Sequence, residues 1–178
     1  MCRYSARETQ LHSSADVMLR KLVLFVTALF LALTAGRAVW VWLGENPFNM
    51  SGQTYVEFFQ QLHQRIVVPI AITGIGGTVL AGLAAWMFRQ QRAVSYLLLA
   101  ACVLGVIGSL VTMLFNIPVN QRLATWNPKA LPPDYQVYLL AWWRWHHVRL
   151  VSMFVAMCLV FLAMLSLQEP QSVFVQKR

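Results

Sequence analysis

The sequence predicts an all-α integral membrane protein. It is a four-helix bundle, with a short interfacial helix before span two and an irregular outer loop between spans three and four. Three observations carry this reading. First, 58% of the 178 residues are hydrophobic, only 11% are charged and the mean hydropathy is +0.57, too apolar for a water-soluble domain of this length. Second, the chain contains four apolar runs near twenty residues long. Lipid leaves no partner for an unsatisfied backbone group, so such uninterrupted runs select helices over the alternating strands of a barrel. Third, the fourteen basic residues behind the formal charge of +8 are scattered over short segments flanking the runs. That pattern reads as membrane topology, and the aromatic-interleaved basic face of a nucleic-acid binder is missing.

Taken in order, Met1 to Lys21 form a polar N-terminal tail with Arg3, Arg7, Glu8 and Asp16 and no periodic apolar face, expected to be mobile. Span one covers residues 22–43. A cleaved signal peptide is the rival, but Ala38-Val39-Trp40-Val41-Trp42-Leu43 prolongs the run past a signal's usual length. Trp40 and Trp42 sit where an aromatic belt belongs. Arg37 lies one to two turns inside the span, and its stem is expected to snorkel to the headgroups; the alternative is an inward guanidinium that meets an acid or an anionic ligand.

Residues 44–51 carry turn signals, and Ser51 is an N-cap candidate for an amphipathic stretch. There Tyr55, Phe58, Phe59 and Leu62 line one side while Glu57, Gln60, Gln61 and Gln64 lean to the other. That short interfacial helix runs into span two, 66–88, with Gly74, Gly76, Gly77 and Gly82 as close-approach points, and span three, 93–115, follows with Gly105 and Gly108. Asn116-Ile117-Pro118-Val119-Asn120 reads as a sharp helix stop, because proline disfavours helical geometry in the residue before it. Asp134 is the expected N-cap of a helix that enters span four, 148–167, through Trp142-Trp143-Arg144-Trp145-His146-His147-Val148-Arg149. Residues 168–178 are a C-terminal tail. Cys2, Cys102 and Cys158 form no Cys-x-x-Cys, and the last two fall inside apolar runs as small hydrophobes.

Eight basic residues flank one side of the spans, at the N-terminal flank, the Arg89/Arg92 loop and Lys177/Arg178, against five on the other. The positive-inside rule therefore puts both termini in the cytoplasm and the polar helix ends outside. At that outer end His63, Asn116, Asn120, His146, His147 and Arg149 converge by topology. On a helix His146 and His147 point about 100° apart, so only one faces the bundle readily, and His146 shares a face with Arg149 three residues on, whereas His147 does not. Two readings stand. These residues are interfacial caps, or they form a site in which histidine moves a proton while arginine and asparagine stabilise an anion. A metal would need His63, one of the histidine pair and Glu57 to meet, and haem would need His63 and His147 to face one another; both stay minor alternatives.

Thr54-Tyr55-Val56-Glu57-Phe58-Phe59-Gln60-Gln61-Leu62-His63, the Asn-Ile-Pro-Val-Asn element and Trp145-His146-His147-Val148-Arg149 together resemble the anthrone oxygenase-like family of small four-helix membrane proteins. The resemblance covers about residues 22–167, with Asn116, Pro118, Asn120, Trp145, His147 and Arg149 matching the family pattern. His63 and His146 stand where asparagine is more usual, and Arg37 is not a family feature. What the resemblance implies is oxidation of a phenolic or anthrone-type molecule without a cofactor. The implied site has His147 or His63 as the base and Arg149, Asn116 and Asn120 around the enolate. Its substrate-binding residues are Trp126 and Trp145 against the ring, with His146, Glu57 and Arg37. The expected partners are the lipid bilayer and a small aromatic or apolar ligand, with a homo-oligomer or a membrane partner subunit as further options and no nucleic acid. The alternative function is a non-catalytic bundle that binds a lipid or quinone-like ligand, or supports a larger membrane complex.

Overall fold

Long apolar runs with few helix breakers make long helices, and the computed structural model of the chain consists of them. It describes residues 2–167, with side chains described from residue 15 onward. Helix α1 runs Cys2–Gly44, α2 Gly52–Met87, α3 Arg92–Val111, α4 Ile117–Thr125 and α5 Tyr135–Leu165, and a π-helical turn, Thr112–Asn116, joins α3 to α4. Four helical stretches, Ala15–Gly44, Gly52–Met87, Arg92–Thr125 and Tyr135–Leu165, are long and apolar enough to cross a membrane. Large apolar side chains such as Phe25, Val68, Val79, Val103 and Val151 remain exposed along them, the surface a lipid solvent permits. The chain is a multi-pass integral membrane protein.

The helices pack in a ring, α1 on α2, α2 on α3, α3 on α5 and α5 back on α1, so sequential spans are antiparallel neighbours. Leu24, Ala28, Leu31, Ala84, Leu98, Ala101, Ala156 and Val160 fill one half of the core. A second layer of Val41, Tyr55, Val56, Val119, Leu123, Leu139 and Trp142 closes the other end. Small residues set the distances between helices: a methyl group on Gly105 would run into the Thr78 side chain, and one on Gly108 would lie 2.6 Å from the Met153 terminal methyl.

Three details differ from the sequence expectations. The polar N-terminal segment continues the first helix back to Cys2, because propagation from an established helix is favourable where residues such as Arg7, Glu8 and Leu11 are good helix formers. As expected, the amphipathic stretch runs into span two, in one helix from Gly52 to Met87; Pro69 within it lacks the N–H that would meet the Arg65 carbonyl, and its own carbonyl accepts from the Thr73 hydroxyl at 3.1 Å. The 116–120 element does not stop span three. A proline in a regular α-helix clashes with the carbonyl four residues back. Here the ladder widens by one residue before Pro118, so that the Ile117 N–H reaches the Thr112 carbonyl, and helix resumes to Thr125. The irregular connection is therefore short, residues 126–134. Asp134 precedes α5 as expected, but its side chain makes no capping bond. Ser51 does cap α2, accepting from the Thr54 N–H at 3.1 Å.

Lys177, Arg178 and the C-terminal tail lie outside the described residues, as does the Cys2 side chain.

Candidate functional site

The end of the bundle at which α1 finishes and α2 begins gathers polar side chains from every span. On α1, Arg37 points inward rather than snorkelling: its Nη2 donates to Glu45 Oε2 at 2.7 Å, with side-chain exposures of only 19% and 10%. Its charge acts on Tyr55 of α2 and on His146 and Arg149 of α5. An arginine so far inside a span needs a counter-charge, and Glu45 supplies it from just past the helix end, two turns on, where its carboxylate reaches back to the guanidinium.

On α5, Trp142, His146 and Arg149 fall at positions i, i+4 and i+7 and share one face. His146 has no exposed surface. Its ring lies parallel to Trp142 at 5.2 Å and against Trp143 at 5.5 Å, and the Ala38 carbonyl of α1 is beside it without meeting the geometry of a hydrogen bond to Nε2. Arg149 Nη2 lies 2.9 Å from His146 Nδ1. A guanidinium can only donate, so Nδ1 accepts and the proton of the neutral ring sits on Nε2. His147 is held the other way round. Its Nδ1 is 2.8 Å from the Trp143 carbonyl, which can only accept, so the Nδ1–H donates and Nε2 keeps its lone pair.

The π turn brings in Asn116, fully buried, whose Nδ2 donates to the Trp142 carbonyl at 3.2 Å. One turn on, Asn120 Oδ1 accepts from Trp142 Nε1 at 2.8 Å. Both asparagines hold the face of α5 that carries His146.

These bonds leave much unspent. Arg37 Nη1, Glu45 Oε1, Asn116 Oδ1, His146 Nε2 and Arg149 Nε are all buried without a hydrogen-bond partner, and the one other such atom among the described residues is Gln91 Oε1 at the opposite end. A buried polar atom with no partner costs roughly 1–3 kcal/mol, more when charged. Five such atoms on neighbouring polar residues mark a place where ordered water or a bound polar group would be held. With Arg37 and Arg149 against Glu45, the cluster carries one positive charge in excess when the imidazole is neutral, which favours an anion.

The remaining candidates lie elsewhere. His63 stacks on Phe59 with ring centroids 4.7 Å apart, and none of its described contacts reaches the α5 residues. Glu57 is exposed and accepts from Gln53 on its own helix at 3.0 Å. Trp145 lies flat on Phe115 at 3.7 Å, and Trp126 meets Tyr138 edge-on at 5.9 Å. Gln60, expected to lean away, is half-buried and donates to the Leu123 and Trp126 carbonyls, both at 2.9 Å, closing the end of α4. Among the described residues no group of three His, Cys, Asp or Glu side chains converges as a metal ion would require. A cleft of about 120 Å³ opens nearby between the 45–51 connection and α5, lined by Pro47, Phe48, Met50, Gly52, Tyr135 and Leu139. It carries none of the unspent atoms; Tyr55 and Leu139 belong to the apolar layer beside them.

Sequence reasoning missed Glu45 as a member of this cluster. The available signal was Arg37 itself, because an intramembrane arginine calls for an acid, and Glu45 is the sole acid between Asp16 and Glu57.

No curated protein and no solved structure matches the chain. The model of the anthrone oxygenase family matches residues 58–159, more than half of the chain. The match takes in His63, Asn116, Asn120, Trp126, Trp145, His146, His147 and Arg149, while Arg37, Glu45 and Tyr55 precede it. The chain belongs to the anthrone oxygenase family.

Proposed function

We propose that the protein is a membrane-embedded oxygenase that converts an anthrone or similar phenolic ketone to the corresponding quinone, using dioxygen and no cofactor. The observation that carries this reading is the set of unspent buried donors, Arg149 Nε, His146 Nε2 and Arg37 Nη1, in one layer of a chain belonging to this family. An anthrone carries a ketone across the ring from a methylene group. Loss of a methylene proton turns the ketone oxygen into an enolate oxygen, and the ring system becomes electron-rich enough to react with dioxygen directly.

Donors fixed in a water-poor layer, and aimed at that oxygen, favour the enolate over the ketone, because charge develops there. The surplus positive charge has the matching sign. The His146 tautomer fits too: with Nδ1 accepting from Arg149, the ring presents an N–H to the ligand. Asn116 and Asn120 act on the position of α5 through the Trp142 carbonyl and indole. Trp142 and Trp143 present apolar faces beside the imidazole. By the positive-inside asymmetry this end of the bundle faces away from the cytoplasm, and an apolar substrate reaches it from the bilayer or through the cleft beside Met50 and Leu139.

The test is oxygen uptake by purified protein in detergent with an anthrone, quinone formation being followed by absorbance. One dioxygen is consumed per quinone formed, and Arg149→Met lowers turnover by about 100-fold or more, the loss expected on removing one pre-positioned donor. If wild-type protein oxidises no anthrone above the buffer rate while binding the quinone, it is a ligand-binding bundle and the proposal fails.

A further inference from the structure

The donors above stabilise an enolate but take no proton, and the sequence-level candidates for that task are badly placed. His63 stacks on Phe59, and His147 lies about 200° round α5 from Arg149. His146 shares the right face, but its Nδ1 lone pair is committed to Arg149 and its Nε2 bears the proton.

One group in the layer has a free, basic lone pair. Glu45 is buried, its Oε2 accepts from Arg37, and its Oε1 is buried with no partner. The other described acids are Asp16, Glu57 and Asp134; Glu57 and Asp134, at the same end as Glu45, are exposed, and Asp16 belongs to the far end of α1. Nothing on a neighbouring element consumes Oε1. The charged and titratable groups with which Glu45 interacts are Arg37 on α1 and Tyr55 on α2, and Arg37 in turn stands near His146 and Arg149 on α5. A carboxylate with one oxygen anchored and one bare, withdrawn from water, is a general base held in position.

We infer that Glu45, through Oε1, is the base of the oxygenase, taking the methylene proton while Arg149, His146 and Arg37 receive the enolate oxygen. This rests on the proposed oxygenase reading. In the first step the C–H bond breaks, its electron pair enters the ring system and Glu45 becomes the neutral acid. The enolate then reduces dioxygen, forming a C–O bond at the former methylene carbon, and Glu45 returns its proton to the terminal oxygen to give a hydroperoxide. Finally Glu45 removes the remaining hydrogen on that carbon as a proton. Those electrons form the C=O bond as the O–O bond breaks, and the departing hydroxide takes the proton from Glu45 as water. Methylene compound and dioxygen become ketone and water, and Glu45 ends as it began.

The decisive variant is Glu45→Gln, which keeps the shape and an acceptor for Arg37 but cannot take a proton. At neutral pH its turnover falls by about 100-fold or more, while affinity for the quinone product, read by quenching of tryptophan fluorescence, stays within threefold. Its rate then recovers toward alkaline pH, as the anthrone ionises in solution and needs no base. Glu45→Asp retains part of the rate and shows a deuterium isotope effect with methylene-deuterated anthrone, because a retracted carboxylate makes proton transfer limiting. Should Glu45→Gln not fold, the Glu45→Asp isotope effect decides the matter, and its absence at an unchanged rate overturns the assignment. An active wild type with an equally active Glu45→Gln overturns the base alone. So does an inactive His147→Gln beside an active Glu45→Gln. An inactive wild type removes the oxygenase reading and the base with it.

Discussion

The ion pair of Arg37 and Glu45 has a thermodynamic consequence that can be measured without any substrate. Replacing Arg37 by Met removes a charge 2.7 Å from a carboxylate that is only 10% exposed. At an effective permittivity near 20 the attraction between unit charges about 4 Å apart is about 4 kcal/mol. Breaking a buried pair from one side costs about 3–5 kcal/mol, because the remaining charge stays in a poor solvent. Part of that loss is offset here, since Arg37 also repels Arg149 and its removal relieves the repulsion. A double-mutant cycle separates these contributions. Arg37→Met alone destabilises by about 3 kcal/mol, Glu45→Leu by a similar amount, and the double variant by about 2–4 kcal/mol where an additive pair would lose about 6, for a coupling of about 2–4 kcal/mol. The assay is reversible unfolding in mixed detergent micelles followed by tryptophan fluorescence and circular dichroism. A coupling below about 0.5 kcal/mol would equate the pair with an exposed surface ion pair. Arg37 would then reach the headgroups, as its position in the sequence first suggested, and the polar layer would lose its α1 wall.

Other consequences follow from the packing. Gly105→Ala sets a methyl group against the buried Thr78 side chain, whose hydroxyl is tied to the Gly74 carbonyl at 2.8 Å, and should cost about 1–3 kcal/mol by overpacking. Gly36→Ala meets nothing within 4 Å and should be neutral or stabilising by up to about 1 kcal/mol from helix propensity; the same unfolding assay compares the two. Gln60→Ala leaves the Leu123 and Trp126 carbonyls at the end of α4 without their donor, for a loss of about 1–2 kcal/mol and faster amide exchange over residues 117–126 than over α3.

The four spans were legible because hydropathy over twenty residues leaves few alternatives, and the family was legible in the Asn116–Asn120 and Trp145–Arg149 elements. Which residues face inward was harder to read. Residues 135–165 are apolar almost all the way round, so polarity does not set the phase of α5, and spacing alone could say only that His146 and His147 diverge. Packing of Trp142 against the π turn decides it in favour of His146, with Arg149 following three residues later. The π turn was itself illegible, because a proline after an apolar run reads as a stop unless the preceding turn can widen. Gln60 was assigned to the solvent side by polarity, although two helix-end carbonyls sixty residues away needed its amide. Glu45 was passed over as a loop residue, since its role depends on the inward turn of Arg37.

The most direct test of the account is a structure of the protein with an anthraquinone bound in a lipid nanodisc. The account predicts the quinone within the polar layer, one carbonyl oxygen within 3.5 Å of Arg149 Nε or His146 Nε2 and the opposite carbonyl carbon facing Glu45. A quinone held only in the cleft beside Pro47 and Tyr135, with the five buried atoms satisfied by ordered water, would contradict it.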